Sequence, residues 1–222
     1  MTRRTAAELL RLTTVLEELF LCIRRGDDES DVGSLSMPHL QDLAVCVDTC
    51  VDAILEPFDC PNLTHLQISS SIGWTADTYD IIKRQYNLHG LEVVIFSDGC
   101  SLPLSTILKD ALELRKLEVP ENASLDDEAI TGIATGELGR HLKALGICGR
   151  RDIDKILGMV EQRQRTVAKI VQKGHSSWKD QISLLTKVEL DGAEDWEKYA
   201  KRINVLMKAG INVEFKEERE ED

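Results

Sequence analysis

The stretch of this chain whose spacing comes nearest to known chemistry is Gly174-His175-Ser176-Ser177-Trp178. A serine framed as G-x-S-x-G becomes a nucleophile when a strand-to-helix turn strains it and a histidine takes its proton. Here Trp178 stands where the last glycine is required, and no strand pattern precedes the turn, so a surface turn with a packing tryptophan is expected. Gly132, Gly136 and Gly139 supply the flexible backbone of a phosphate loop. They follow a helical pattern rather than a strand, and no Lys-Ser/Thr follows them, which reads as a helix end. Cys46 and Cys50 lack a second Cys or His pair at zinc spacing. His39, His65, His89, His141 and His175 are scattered, and only His175 has a serine beside it. Asp126-Asp127-Glu128 reads as negative charge at the positive start of a helix rather than as a metal site. No catalytic, metal or cofactor-binding residue is expected, and no cofactor. The rival reading is a small hydrolase or transferase with a site in the helical segment 151–182.

Composition narrows the partners. The chain has 222 residues, 42% hydrophobic and 30% charged, enough for one elongated domain with a continuous core. Its net charge of −12 opposes binding to phosphate backbones or anionic membranes, so neither nucleic acid nor membrane is expected as a partner. No apolar run approaches membrane-spanning length, and the N-terminal residues lack a signal-peptide pattern. Six cysteines in that context are expected as reduced thiols, in the cytoplasm or nucleus. Residues 216–222 carry two positive and five negative charges and read as an acidic, disordered tail.

The elements that must carry any site come from a recurring apolar pattern. Ile107, Leu108, Ala111, Leu114, Leu117 and Val119 begin with helix spacing and end with strand alternation, and Asn122 completes L-x-x-L-x-L-x-x-N. That is the pattern of a leucine-rich repeat, a strand plus a helix that cannot bury its apolar face alone. The central position recurs as Leu19, Leu43, Leu66, Val94, Leu117, Leu145, Val188 and Val213, at intervals of 24, 23, 28, 23, 28, 43 and 25 residues. The pattern predicts an α/β solenoid, a horseshoe with a parallel strand sheet on the concave face and helices on the convex face. About eight irregular repeats fill residues 1–215, with strands near 16–22, 40–46, 63–69, 91–97, 114–120, 142–148, 185–191 and 211–216. The 43-residue interval predicts an enlarged helical insertion over 151–182. Its apolar stripe is Ile153, Ile156, Leu157, Val160, Val167, Ile170 and Val171. Ser124 is expected to cap the helix after Asn122. A last helix over 194–209 is expected to bury Trp196, Tyr199, Ala200, Ile203, Leu206 and Met207 on one face.

On these repeats, and on the stretches 102–126, 160–164, 176–179 and 185–191, the chain resembles the leucine-rich-repeat region of F-box proteins abundant in mushroom-forming fungi, a solenoid of the ribonuclease-inhibitor type. The resemblance covers most of the chain. It implies a ubiquitin-ligase subunit whose repeats hold the substrate while an F-box docks on the adaptor. The first repeat starts too early to leave room for an F-box, so adaptor docking is not carried over to this chain. The asparagine position is filled by Arg24, Asp48, Ser71, Gly99, Asn122, Arg150 and Ala193, so no uninterrupted amide ladder is expected.

Because side chains alternate along a strand, the residues between the leucines must line the concave face. The expected protein-binding residues are Phe20, Asp42, Ala44, His65, Gln67, Val93, Ile95, Lys116, Glu118, Ala144, Lys187 and Glu189. Val93 and Ile95 form an exposed apolar centre and the charged residues a rim, the layout of a protein-binding patch. The expected function is therefore non-enzymatic protein binding.

Overall fold

Strands that alternate inward leucine or valine with outward polar residues can bury only one face, so they must share a core with helices laid against that face. The computed structural model describes residues 8–13, 15–23, 33–47, 52–70, 76–96, 103–120, 125–149, 152–172, 182–191 and 196–216. Its strands are β1 (Glu18–Ile23), β2 (Leu35–Ser36), β3 (Asp42–Val47), β4 (Phe58–Asp59), β5 (His65–Ser70), β6 (Val93–Phe96), β7 (Lys116–Val119), β8 (Ala144–Ile147), β9 (Lys187–Asp191) and β10 (Asn212–Lys216). Eight of them form one sheet in the order β1-β3-β5-β6-β7-β8-β9-β10, and every adjacent pair is parallel. The fold is mixed α/β with a parallel sheet.

Register follows the apolar pattern. Leu19, Leu43, Leu66, Val94, Leu117, Leu145, Val188 and Val213 are successive partners across the eight strands. From Leu43 to Val188 all are at most 2% exposed. One rung sets this alignment just ahead of the strands, or at the first residue in β10. The amides of Gln41, Thr64, Glu92, Arg115, Lys143, Thr186 and Asn212 each donate to the carbonyl of the preceding member of the row, which begins at Glu17, at 2.7–2.9 Å. A slip of one residue on any strand would break its rung and turn its buried side chains outward.

Two features were not legible in the pattern. Leu35 and Phe58 begin a second, two-stranded parallel sheet, β2 with β4, and a single bridge pairs Cys60 with Tyr86. Leu35, Phe58, Cys60 and Tyr86 are all buried, so this small ladder belongs to the same core. Burial pushes the Cys60 thiol up to about 12, with the Asp59 charge adding to it, so Cys60 behaves as a small apolar side chain.

The helices lie between the strands in sequence. Ala76–Gln85 buries Ile81 and Ile82, and Tyr79 Oη donates to Asp110 Oδ2 at 2.5 Å, at the end of Leu104–Asp110. Lys83 Nζ reaches the same oxygen at 2.8 Å. The cap of Asp127–Thr135 is Asp126, whose Oδ1 accepts from Ala129 N at 2.9 Å; the expected cap Ser124, like Asn122, lies outside the described residues. Asp126 Oδ2 also accepts from Ser105 N at 3.0 Å, so one carboxylate ties two helices. At the other end, Gly136 holds φ +80° and a Cβ there would come within 2.2 Å of Ile182. A Cβ on Gly132 would meet Leu138 at 2.5 Å. Close packing accounts for these glycines.

The 43-residue interval is occupied by Ile153–Gln172. Val171 departs from the expected apolar stripe: it is 73% exposed, because it lies in the last turn beyond the packed surface. The residue that completes the stripe is Arg163, 1% exposed. Its Nε donates to Ser183 O at 3.0 Å, Nη1 to Ile133 O at 2.8 Å, and Nη2 to the carbonyls of Gly139, Arg140 and Leu142 at 2.9–3.3 Å. Burial lowers its pKa from 12.5 to about 10, which still leaves the guanidinium charged at neutral pH. Carbonyl dipoles near the negative end of Asp127–Thr135 offset the desolvation. The expected 194–209 helix is shorter: a 3-10 turn at Trp196–Tyr199 leads into Ala200–Lys208. Ile203 and Leu206 are buried, but Met207 is half exposed, since only the i, i+3 stripe faces the core.

Arg163→Met should lower the free energy of unfolding by about 3 kcal/mol or more, because several buried carbonyls lose a donor together. Arg163→Lys should recover only part of that, since one ammonium cannot replace the planar fork. Urea midpoints at constant m-value measure both.

Asp110 and Asp126 define the acid side of stability. Burial raises each pKa, but the hydrogen bonds outweigh it, from Lys83 and Tyr79 to Asp110 and from the Ser105 and Ala129 amides to Asp126. Both end below the ordinary 3.8. A depressed folded-state pKa contributes stability that is present above the unfolded value and lost as pH falls through the folded one. Asp126→Asn should therefore cost stability at pH 7 and narrow the gap to wild type below about pH 3; thermal melts from pH 7 to 2.5 test it.

Candidate functional site

Outward positions of the sheet must stand on the face opposite the helices, since inward positions are filled by the leucine row. Counting along each strand from its first residue, the first outward position across the sheet reads Glu18, Asp42, His65, Val93, Lys116, Ala144, Lys187, Asn212. The next reads Phe20, Ala44, Gln67, Ile95, Glu118, Gly146, Glu189, Glu214. All twelve residues expected for binding thus stand on one face. Eight of them, Phe20, Asp42, Ala44, His65, Gln67, Val93, Ile95 and Lys116, line one open groove of about 670 Å³, with Glu18 and the edges of Leu19, Leu43 and Leu66. Glu118, Ala144, Lys187 and Glu189 continue the face beyond it.

The groove's apolar content is distributed differently from expectation. Phe20 is 70% exposed, whereas Val93 and Ile95 are half-buried. The neighbours in register, His65 and Lys116 beside Val93 and Gln67 and Glu118 beside Ile95, shield them. His65 Nδ1 lies 2.9 Å from Asp42 Oδ1 and 2.9 Å from Thr64 Oγ1. Further along, Lys116 Nζ meets Glu118 at 2.7 Å, and Lys187 Nζ meets Glu189 at 2.6 Å and Glu214 at 3.1 Å. Those carboxylates hold the Lys187 ammonium above its ordinary pKa. Gly146 is buried between the two glutamates: a Cβ there would come within 3.1 Å of Glu118 Cγ and 3.7 Å of Glu189 Oε2.

The chemistry considered for catalysis is spread out or beyond view. Gly174, His175, Ser176, Ser177 and Trp178 lie outside the described residues, as does Cys50. Among the described residues, no group of three or more His, Cys, Asp or Glu could hold a metal ion. Asp126, the first of the acidic triplet, is a helix cap. His89 and His141, distant in sequence, line one depression of about 460 Å³ with Glu113, Glu137 and Arg140, at the rim before β6–β8. The clue in the sequence was their similar offset ahead of successive strands. No described helix is long and apolar enough to cross a membrane. Comparison with known proteins finds no matching family model, no matching curated protein and no matching solved structure.

Cys22 and Cys46 are register partners on this face, yet none of the four described cysteines is in a disulfide. A thiol assay on native protein should find Cys22 reacting fast and Cys60 silent, with all six thiols titrating after denaturation. Four or fewer would mean a bridge has formed.

Proposed function

We propose that this chain is a non-enzymatic protein-interaction module, a leucine-rich-repeat solenoid similar to the substrate-recognition repeats of an F-box subunit of a ubiquitin ligase. It binds a protein partner on the concave side of its sheet, and neither nucleic acid nor membrane. Support for the repeat architecture lies in the leucine row, whose members pair strand after strand at the recurring sequence interval. The observation that carries the functional reading is the groove, where exposed Phe20 and half-buried Val93 and Ile95 share a surface with His65, Gln67 and Lys116. Apolar area left on a sheet face, rimmed by polar groups, is the composition of an interface core and edge. Reduced thiols are consistent with a cytoplasmic or nuclear setting, which belongs to the same reading.

The test is a pull-down from native lysate with wild type and with Val93→Ser/Ile95→Ser and Phe20→Ser variants. The variants should lose less than about 1 kcal/mol of stability per residue, as for partly exposed positions. A partner held by wild type should be lost from them, at more than about 1 kcal/mol per anchor. Retention of every specific partner by all variants would overturn the proposal, and so would discovery of a substrate turned over by the chain.

A further inference from the structure

Two thiols stand side by side where the sheet ends at β1, the edge strand of the eight. Cys22 on β1 is in register with Cys46 on β3, as Phe20 is with Ala44 two residues earlier. Both cysteines are outward positions, one step beyond the groove wall that Phe20 and Ala44 form. Cys22 is exposed, Cys46 is half-buried, and neither is in a disulfide. Register partners on adjacent strands have Cα atoms about 4.8 Å apart, inside the roughly 4.4–6.8 Å that a disulfide spans. Their side chains leave the same face of the sheet, so they point alongside each other rather than apart. Among the described residues β1 has a strand neighbour on one side only, which lets it make the small shift that brings the two sulfurs together. The other described cysteines are out of reach. Cys60 is buried in the core. Cys148 follows β8, four strand spacings from β3, roughly 19 Å.

We propose that Cys22 and Cys46 form a dithiol that closes into a disulfide by exchange with a small-molecule disulfide, and that the bridge staples edge strand β1 to β3. Cys22, the exposed thiol, reacts first. It loses its proton, bonds to one sulfur of oxidised glutathione and expels the other half as a thiolate. Cys46 then loses its proton and attacks Cys22 Sγ, forming the Sγ–Sγ bond and expelling the second glutathione thiolate. The two cysteines give up two electrons and two protons, and glutathione disulfide takes them up to become two thiols. The chain with six titrating thiols is the reduced form of this couple. In the oxidised form the bridge encloses residues 23–45, and β1 leaves the sheet only together with β3. This chemistry is independent of what the groove binds.

The test is mass mapping of the full chain equilibrated with oxidised glutathione, with remaining thiols then alkylated. In the wild type the peptides carrying Cys22 and Cys46 should be joined and lighter by two hydrogen atoms, and excess reduced glutathione should separate them. Cys46→Ser should retain glutathione on Cys22, because the resolving thiol is gone. Hydrogen exchange of the β1 amides should slow by about tenfold in the bridged wild type, and should not change in Cys22→Ser carried through the same buffer. Four results overturn the proposal. They are a wild type that keeps glutathione on Cys22, one that shows neither adduct nor bridge, a bridge from Cys22 or Cys46 to any other cysteine or to a second copy, and β1 exchange that the bridge leaves unchanged.

Discussion

Short strands carrying two or three inward side chains cannot exclude water alone, and everything else in this molecule follows from how they share that task. Leu43, Leu66, Val94, Leu117, Leu145 and Val188 lie in one buried row, each packed between the equivalents on the strands before and after it. A fully buried side chain of this kind contributes about 1.5–3 kcal/mol relative to exposure. The row therefore has ample energy to hold the register, and the amide-to-carbonyl rung at the start of the strands adds direction. Side chains on the open face inherit their positions from this row, without needing contacts of their own.

Irregularity is absorbed on the helical side. Intervals of 23 and 43 residues lead to the same strand register, and the longer one contains helix Ile153–Gln172. Arg163 makes that possible. One charged side chain gathers carbonyls from the end of Asp127–Thr135, the loop before β8 and the approach to β9. An apolar residue there would fill the volume and leave those carbonyls poorly satisfied. Asp126 does the reverse at helix N-termini, gathering the amides of Ser105 and Ala129. Two buried or half-buried charges thus tie the helical layer where hydrophobic stacking alone leaves backbone groups without partners.

The open face is built without deep cavities or converging catalytic groups among the described residues, and its polarity is graded rather than uniform. Its lysines answer carboxylates on their own or adjacent strands. The lysines of these pairs are well exposed to solvent, which screens them and keeps their contribution to stability small.

The alternation of Leu117 and Val119 with Lys116 and Glu118, and the recurrence of that alternation, was enough to assign inward and outward residues on every strand. Side-chain direction along a strand is a local property with period two, which a sequence displays openly. That is why the pattern alone assigns all twelve candidate face residues to one surface. Local pattern could not reveal Arg163 as the end of an apolar stripe, since its partners are backbone carbonyls 20 to 30 positions away. Nor could it show Asp126 serving two helices, or the β2–β4 ladder. Shielding of Val93 and Ile95 and exposure of Phe20 depend likewise on neighbouring strands. The sequence alone determined which way each strand residue points; the tertiary structure decided what each one meets, because burial and hydrogen bonding are properties of contacts between segments that the chain keeps far apart.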